Sequence, residues 1–103
     1  MNKVYSVYDS KVGAYLRPFH ARSDGEAMRM FQQAATDVDG PFFQHAGDYT
    51  LFGIADYEEE HGNYIPYVAK LNLGTALEYQ SDPRQTVAEA IAEIPVDDEK
   101  ENN

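Results

Sequence analysis

The chain has 103 residues, of which 43% are hydrophobic, enough for one domain with a modest core. It contains no cysteine, which excludes disulfides, thiolate metal sites and cysteine nucleophiles and suits an intracellular protein. Its net charge of −10 makes it a poor general binder of phosphate backbones.

In chain order, residues 3–8, "KVYSVY", predict a strand of β-branched and aromatic residues. "DSKVG" at 9–13 supplies turn residues, and "AYLRPFHA" at 14–21 predicts a returning strand. Pro18 has no N–H to give a ladder, so that strand is expected at an edge or to end there. Residues 23–36, "SDGEAMRMFQQAAT", carry the clearest helix pattern. Ser23 and Glu26 form a capping box, Asp24 and Glu26 suit the positive end of the dipole, and Ala27, Met30, Phe31 and Ala34 make an apolar stripe.

Residues 37–48 read as a loop pinned by Phe42 and Phe43. A second hairpin follows: strand 49–57, turn 58–63, and a returning strand at 64–68 kept short by Pro66. "LNLGTALEY" at 71–79 fits a strand or an extended segment. Helical spacing returns at 82–94 with Asp82 as cap and Pro83 at the first helical position, and "PVDDEKENN" has the composition of a disordered tail. The expected fold is α+β: a small antiparallel sheet of two hairpins with one packed helix, plus a peripheral C-terminal helix or tail. Residues 1–80 would form the single domain and 81–103 the acidic extension. No apolar run approaches a membrane span, and "MNKVYSVYDS" lacks a signal peptide's apolar stretch.

Chemistry-bearing clusters are few. Glu58, Glu59, Glu60 and His61 offer metal ligands, but adjacent turn residues are expected to diverge, and no helical H-E-x-x-H spacing is present. The three histidines, His20, His45 and His61, fall in separate elements, and no nucleophile motif or phosphate loop is found. The sequence therefore predicts no enzyme, no cofactor and no bound metal.

Charge is unevenly placed. Residues 1–35 carry Lys3, Lys11, Arg17, Arg22 and Arg29 against Asp9, Asp24 and Glu26, a net +2. Residues 36–103 carry Lys70, Arg84 and Lys100 against fifteen acids, a net −12. If the first turn centres on Lys11, Tyr5 faces Arg17, Val7 faces Tyr15 and Lys3 faces Phe19. One sheet face then presents Lys3, Tyr5, Val7, Tyr15, Arg17 and Phe19, with Val4, Ser6, Tyr8, Ala14, Leu16 and Pro18 towards the core. Rings interleaved with cations suit single-stranded nucleic acid, in which bases stack and phosphates pair with Lys and Arg. Lys11, Arg22 and Arg29 would extend that patch. The same rings could instead be core, because a one-residue slip exchanges the faces, or a homodimer interface.

The ordered series "KVYSVYDSKVGAY", "RPFHARSDGEAMRMF", "GPFFQHAGDYTLFGIADYEEEHG" and "LGTALEY" resembles the small non-structural protein of gokushoviruses, often called viral protein five, over about residues 1–80. The resemblance implies a phage protein in the cytoplasm of an infected bacterium, acting on single-stranded DNA during genome synthesis or packaging. It supplies no set of functional residues. The acidic balance points to a rival role, a protein-interaction module contacting the replication initiator, a capsid or scaffolding protein, or a host protein.

Overall fold

Strand β1 (Asn2–Asp9) is the centre from which the sheet grows. It alternates apolar side chains on both faces, and four consecutive residues, Val4 to Val7, are buried. The computed structural model describes residues 2–80. β1 turns back through residues 10–13, where the Asp9 carboxylate accepts the Lys11 and Val12 N–H groups at 3.0 and 3.3 Å. Gly13, with φ of 79°, takes the left-handed conformation that closes the turn.

The returning chain pairs with β1 in two pieces, β2 (Ala14–Tyr15) and β3 (Phe19–Ala21). Tyr15 lies opposite Tyr8, and Phe19 lies opposite Tyr5. Between them, residues 16–18 stand against only Ser6 and Val7, so one extra residue bulges out. The Ser6 hydroxyl donates to the Leu16 carbonyl at 2.6 Å and ties the bulge down. This register replaces the expected pairing of Tyr5 with Arg17 and Val7 with Tyr15. Pro18 sits in the bulge, where its missing N–H costs no ladder bond.

Helix α1 (Asp24–Ala35) begins as its sequence dictates. The Ser23 hydroxyl accepts the Glu26 N–H at 3.1 Å, while the Glu26 carboxylate accepts the Arg22 N–H at 2.8 Å. The Arg22 N–H, and then its guanidinium, hold the Glu26 carboxyl below its usual range. Ala27, Phe31 and Ala35 face the sheet and are buried.

The stretch 37–48, expected to be loop, contains helix α2 (Pro41–Gln44) and a 3₁₀ turn (Ala46–Asp48). Gly40 before Pro41 allows this, because proline is pre-set for a first helical position. Phe42 packs between Phe31 and Tyr49, at ring distances of 5.6 and 4.5 Å. Phe43, expected inside, is exposed.

β4 (Tyr49–Glu58) pairs with β1, and β5 (Asn63–Thr75) pairs with β4, so the second hairpin matches expectation. β5 does not stop at Pro66. It is the edge strand in the order β2-β1-β4-β5, and an edge tolerates proline. Between Pro66 and Leu71 the strand widens: residues 67–70 stand against Ile54 alone.

Helix α3 (Ala76–Gln80) folds back under the sheet, burying Ala76 and Tyr79. The core joins Tyr5, Val7, Ala21 and Leu51 of the sheet to Ala27, Phe31 and Ala35 of α1, with Ala76 and Tyr79. The three helices among the described residues thus cover one face of the sheet, and the α+β class is as the sequence predicts. The helix expected at 82–94 and the acidic tail lie outside the described residues.

Candidate functional site

Because paired residues share a face, the register sorts the side chains. Tyr5, Val7, Phe19 and Leu51 point to the helices. Val4, Ser6, Tyr8, Tyr15, His20, Phe52, Tyr57 and Tyr64 point to the other face, which no helix among the described residues covers.

The predicted nucleic-acid face therefore divides. Tyr5 is fully buried; its ring stacks on Phe19 at 5.8 Å and its hydroxyl donates to Asp24 at 2.5 Å. Burial first, then the Asp24 carboxylate, raises the phenol well above its ordinary pKa. No base can reach this ring, and Phe19 is half-buried against it. Tyr5 and Phe19 share a face as expected, but it is the face the helices cover, and the bulge at 16–18 leaves Tyr15 on the opposite one. Lys3 pairs with Asp56 at 3.8 Å, and Arg22 pairs with Glu26 at 3.1 Å. Arg29 is exposed on α1, in the helical layer. These five residues do not form a site with Tyr15.

Tyr15, Lys11 and Arg17 are exposed, Lys11 in the first turn, Tyr15 in β2 and Arg17 in the bulge that follows it. Tyr15 joins rings that sequence reasoning left out. It lies 4.9 Å from Tyr8 and 5.8 Å from Phe52, with the Lys70 ammonium 5.9 Å from its centroid. Aromatic stacking and cation–π attraction orient the cluster. Among the described residues, no ion pair within 4 Å engages Lys11, Arg17 or Lys70.

At the other end, His20, Tyr57 and Tyr64 form a second ring cluster, with centroids 4.9 to 5.7 Å apart. His20 Nε2 and the Tyr64 hydroxyl share a hydrogen bond of 3.1 Å. The Tyr57–Tyr64 pair was readable, since the two residues are placed symmetrically about the turn.

That end borders the acidic turn. Ligand atoms of Glu58, Glu60 and His61 lie within 4.8 Å of one another, closer than the expected divergence. His61 explains this: its N–H donates to Glu58 at 3.1 Å, and its Nδ1 lies 2.9 Å from the same carboxylate. The open face thus runs from a cationic end to an anionic end.

No helix among the described residues is long and apolar enough to cross a membrane. No curated protein and no solved structure matches the chain. A family model described as Phage ORF5 protein matches residues 2–79, nearly the whole span over which the sequence resembles a phage protein. That match takes in every described strand and both ring clusters, and the chain belongs to the Phage ORF5 protein family.

Proposed function

We propose that this chain is a non-enzymatic phage accessory protein, of the gokushovirus kind its sequence resembles, that binds single-stranded DNA during genome synthesis or packaging in the bacterial cytoplasm. The observation that carries the reading is the Tyr8–Tyr15–Phe52 cluster, with the Lys70 ammonium over Tyr15, on the sheet face that no described helix covers; Lys11 and Arg17 are its exposed neighbours in the chain. Bases unstacked from one another can lie on these rings while the cations hold the phosphates between them. A duplex offers only its backbone to a flat sheet, so the single strand is preferred. The Glu58–Glu60 end repels phosphate and confines the strand to the Tyr15 end.

Fluorescence anisotropy of labelled single-stranded DNA, with matched duplex as control, tests this at several salt concentrations. Salt-sensitive binding that prefers the single strand supports the reading, and Tyr15→Ala and Arg17→Glu are expected to weaken it. Unchanged affinity in a folded Arg17→Glu protein removes Arg17 from the site, and no binding at low salt removes the function.

The net charge of −10 favours a second reading, in which the acidic surface contacts a replication initiator, capsid or host protein. Binding of that kind through apolar contacts would weaken little with salt.

A further inference from the structure

β5 is an unfinished element. From Asn63 to Asn72 every residue except Tyr67 is exposed, so neither face of the strand is covered over most of its length. It ends the sheet, leaving its outer backbone edge unpaired among the described residues. Tyr64, Ile65, Val68 and Leu71 are large apolar side chains left in solvent, and Val68 is completely so. A long apolar edge is an invitation to strand pairing.

Charge identifies the occupant. β5 contains no acidic residue and a single cation, Lys70, in a chain of net charge −10. Two copies meeting at the Glu58–Glu60 turn, or at Asp37 and Asp39, would set acid against acid. Meeting at β5, they set two near-neutral apolar strips together and hold their acidic surfaces apart. A polyanion would find only Lys70 along this strand.

We infer that β5 is the joining edge of a homodimer, pairing antiparallel with β5 of a second copy about a two-fold axis perpendicular to the sheet. Such a contact is self-complementary and closed. Pro66 and the widening at residues 67–70 break the ladder locally, and Val68 reaches across from that widening. The axis places both open faces on the same side of one continuous sheet. The contact itself does not depend on DNA binding.

Sedimentation equilibrium of the full chain across micromolar concentrations tests this directly. The unaltered protein is expected to be a dimer; a monomer at every concentration overturns the inference. Val68→Glu with Leu71→Glu is expected to give a folded monomer, judged by an unchanged circular dichroism spectrum, since both side chains are exposed. Val12→Glu, at a residue also exposed but in the far turn, is expected to leave the dimer intact. A dimer that survives the β5 changes, or dissociates with Val12→Glu, overturns the assignment. Mixing the Val68→Glu, Leu71→Glu protein with its Val68→Lys, Leu71→Lys counterpart is expected to restore a dimer. Failure of that mixture to associate while each variant stays folded shows that the strands do not face each other.

Discussion

Two tyrosines beneath the sheet are held by carboxylates. Tyr5 donates to Asp24 at 2.5 Å and Tyr67 donates to Asp56 at 2.6 Å. Both hydroxyls must stay protonated to donate, so ionising either turns an attraction into repulsion. Burial, then the Asp56 bond, pushes Tyr67 up to about 12 from 10.0. The folded phenol binds its proton more tightly than the unfolded one. Its contribution to stability is therefore complete below pH 10.0 and lost as pH rises through about 12. Thermal unfolding is expected to move to lower temperature over that interval, and Tyr67→Phe should flatten the change; an equal slope in the variant would place the titration elsewhere. Tyr5→Phe leaves Asp24 without its donor and should cost about 1–3 kcal/mol in denaturant unfolding. DNA affinity should not move, because Tyr5 is buried on the helical side. Tyr15→Ala is expected to do the reverse, with folding little changed and a loss of about 1–3 kcal/mol in single-strand binding by anisotropy.

At the scale of the element, α3 shows how five residues can form a stable helix. Thr75 and Glu78 form a capping box: the Thr75 hydroxyl accepts the Glu78 N–H at 3.2 Å, and the Glu78 carboxylate accepts the Thr75 N–H at 2.9 Å. Tyr79 sets its ring edge-on to Phe31 and donates to the Leu73 carbonyl at 2.7 Å. Gln80 reaches the Ala35 and Phe43 carbonyls at 3.0 and 3.1 Å, joining the ends of α1 and α2. Gly74 makes the bend, with φ of 108°, and a Cβ there would sit 2.7 Å from the Glu78 carboxylate and 3.3 Å from the Tyr79 ring. Gly74→Ala should therefore cost more than about 1 kcal/mol in equilibrium unfolding; a neutral effect would mean that the bend relaxes freely. The sequence made the first capping box, Ser23 to Glu26, easy to read because a long apolar stripe follows it. The same pattern in "TALE" precedes too few residues to show a period. The open face was hidden for a related reason. Tyr5 and Val7 on one side of β1, and Val4 and Tyr8 on the other, are equally apolar. Only the bulge at 16–18 and the seat of α1 decide which side is core, and both depend on contacts distant in sequence. Lys11 and Tyr15 were legible as neighbours because no bulge separates the turn from Tyr15, whereas Arg17 lies in the bulge itself. Phe52 and Lys70 reach them only through pairing with β4 and β5.

For the whole molecule the governing quantity is how its charge is distributed. Residues 81–103 hold Asp82, Glu89, Glu93, Asp97, Asp98, Glu99 and Glu101 against Arg84 and Lys100, half of the net −10 in under a quarter of the chain. The Tyr15 end has Lys11, Arg17 and Lys70 to set against phosphate. If all three engage, the logarithm of single-strand affinity should fall with the logarithm of salt at a slope of roughly −2, since each contact contributes about 0.7. The acids act oppositely, by long-range repulsion, and that repulsion fades once the screening length drops below about 10 Å near 0.1 M salt. Neutralising Asp97, Asp98, Glu99 and Glu101 to their amides should therefore raise single-strand affinity several-fold at low salt and hardly at all above that concentration. The contact count is unchanged, so the variant should bind more tightly in dilute salt and converge on the parent as salt rises. Anisotropy titrations of the two proteins in parallel settle the point. An affinity gain that persists at high salt would mean that the acids compete for the cationic end directly, and no gain at any salt would mean that DNA approaches from a side the acids do not influence.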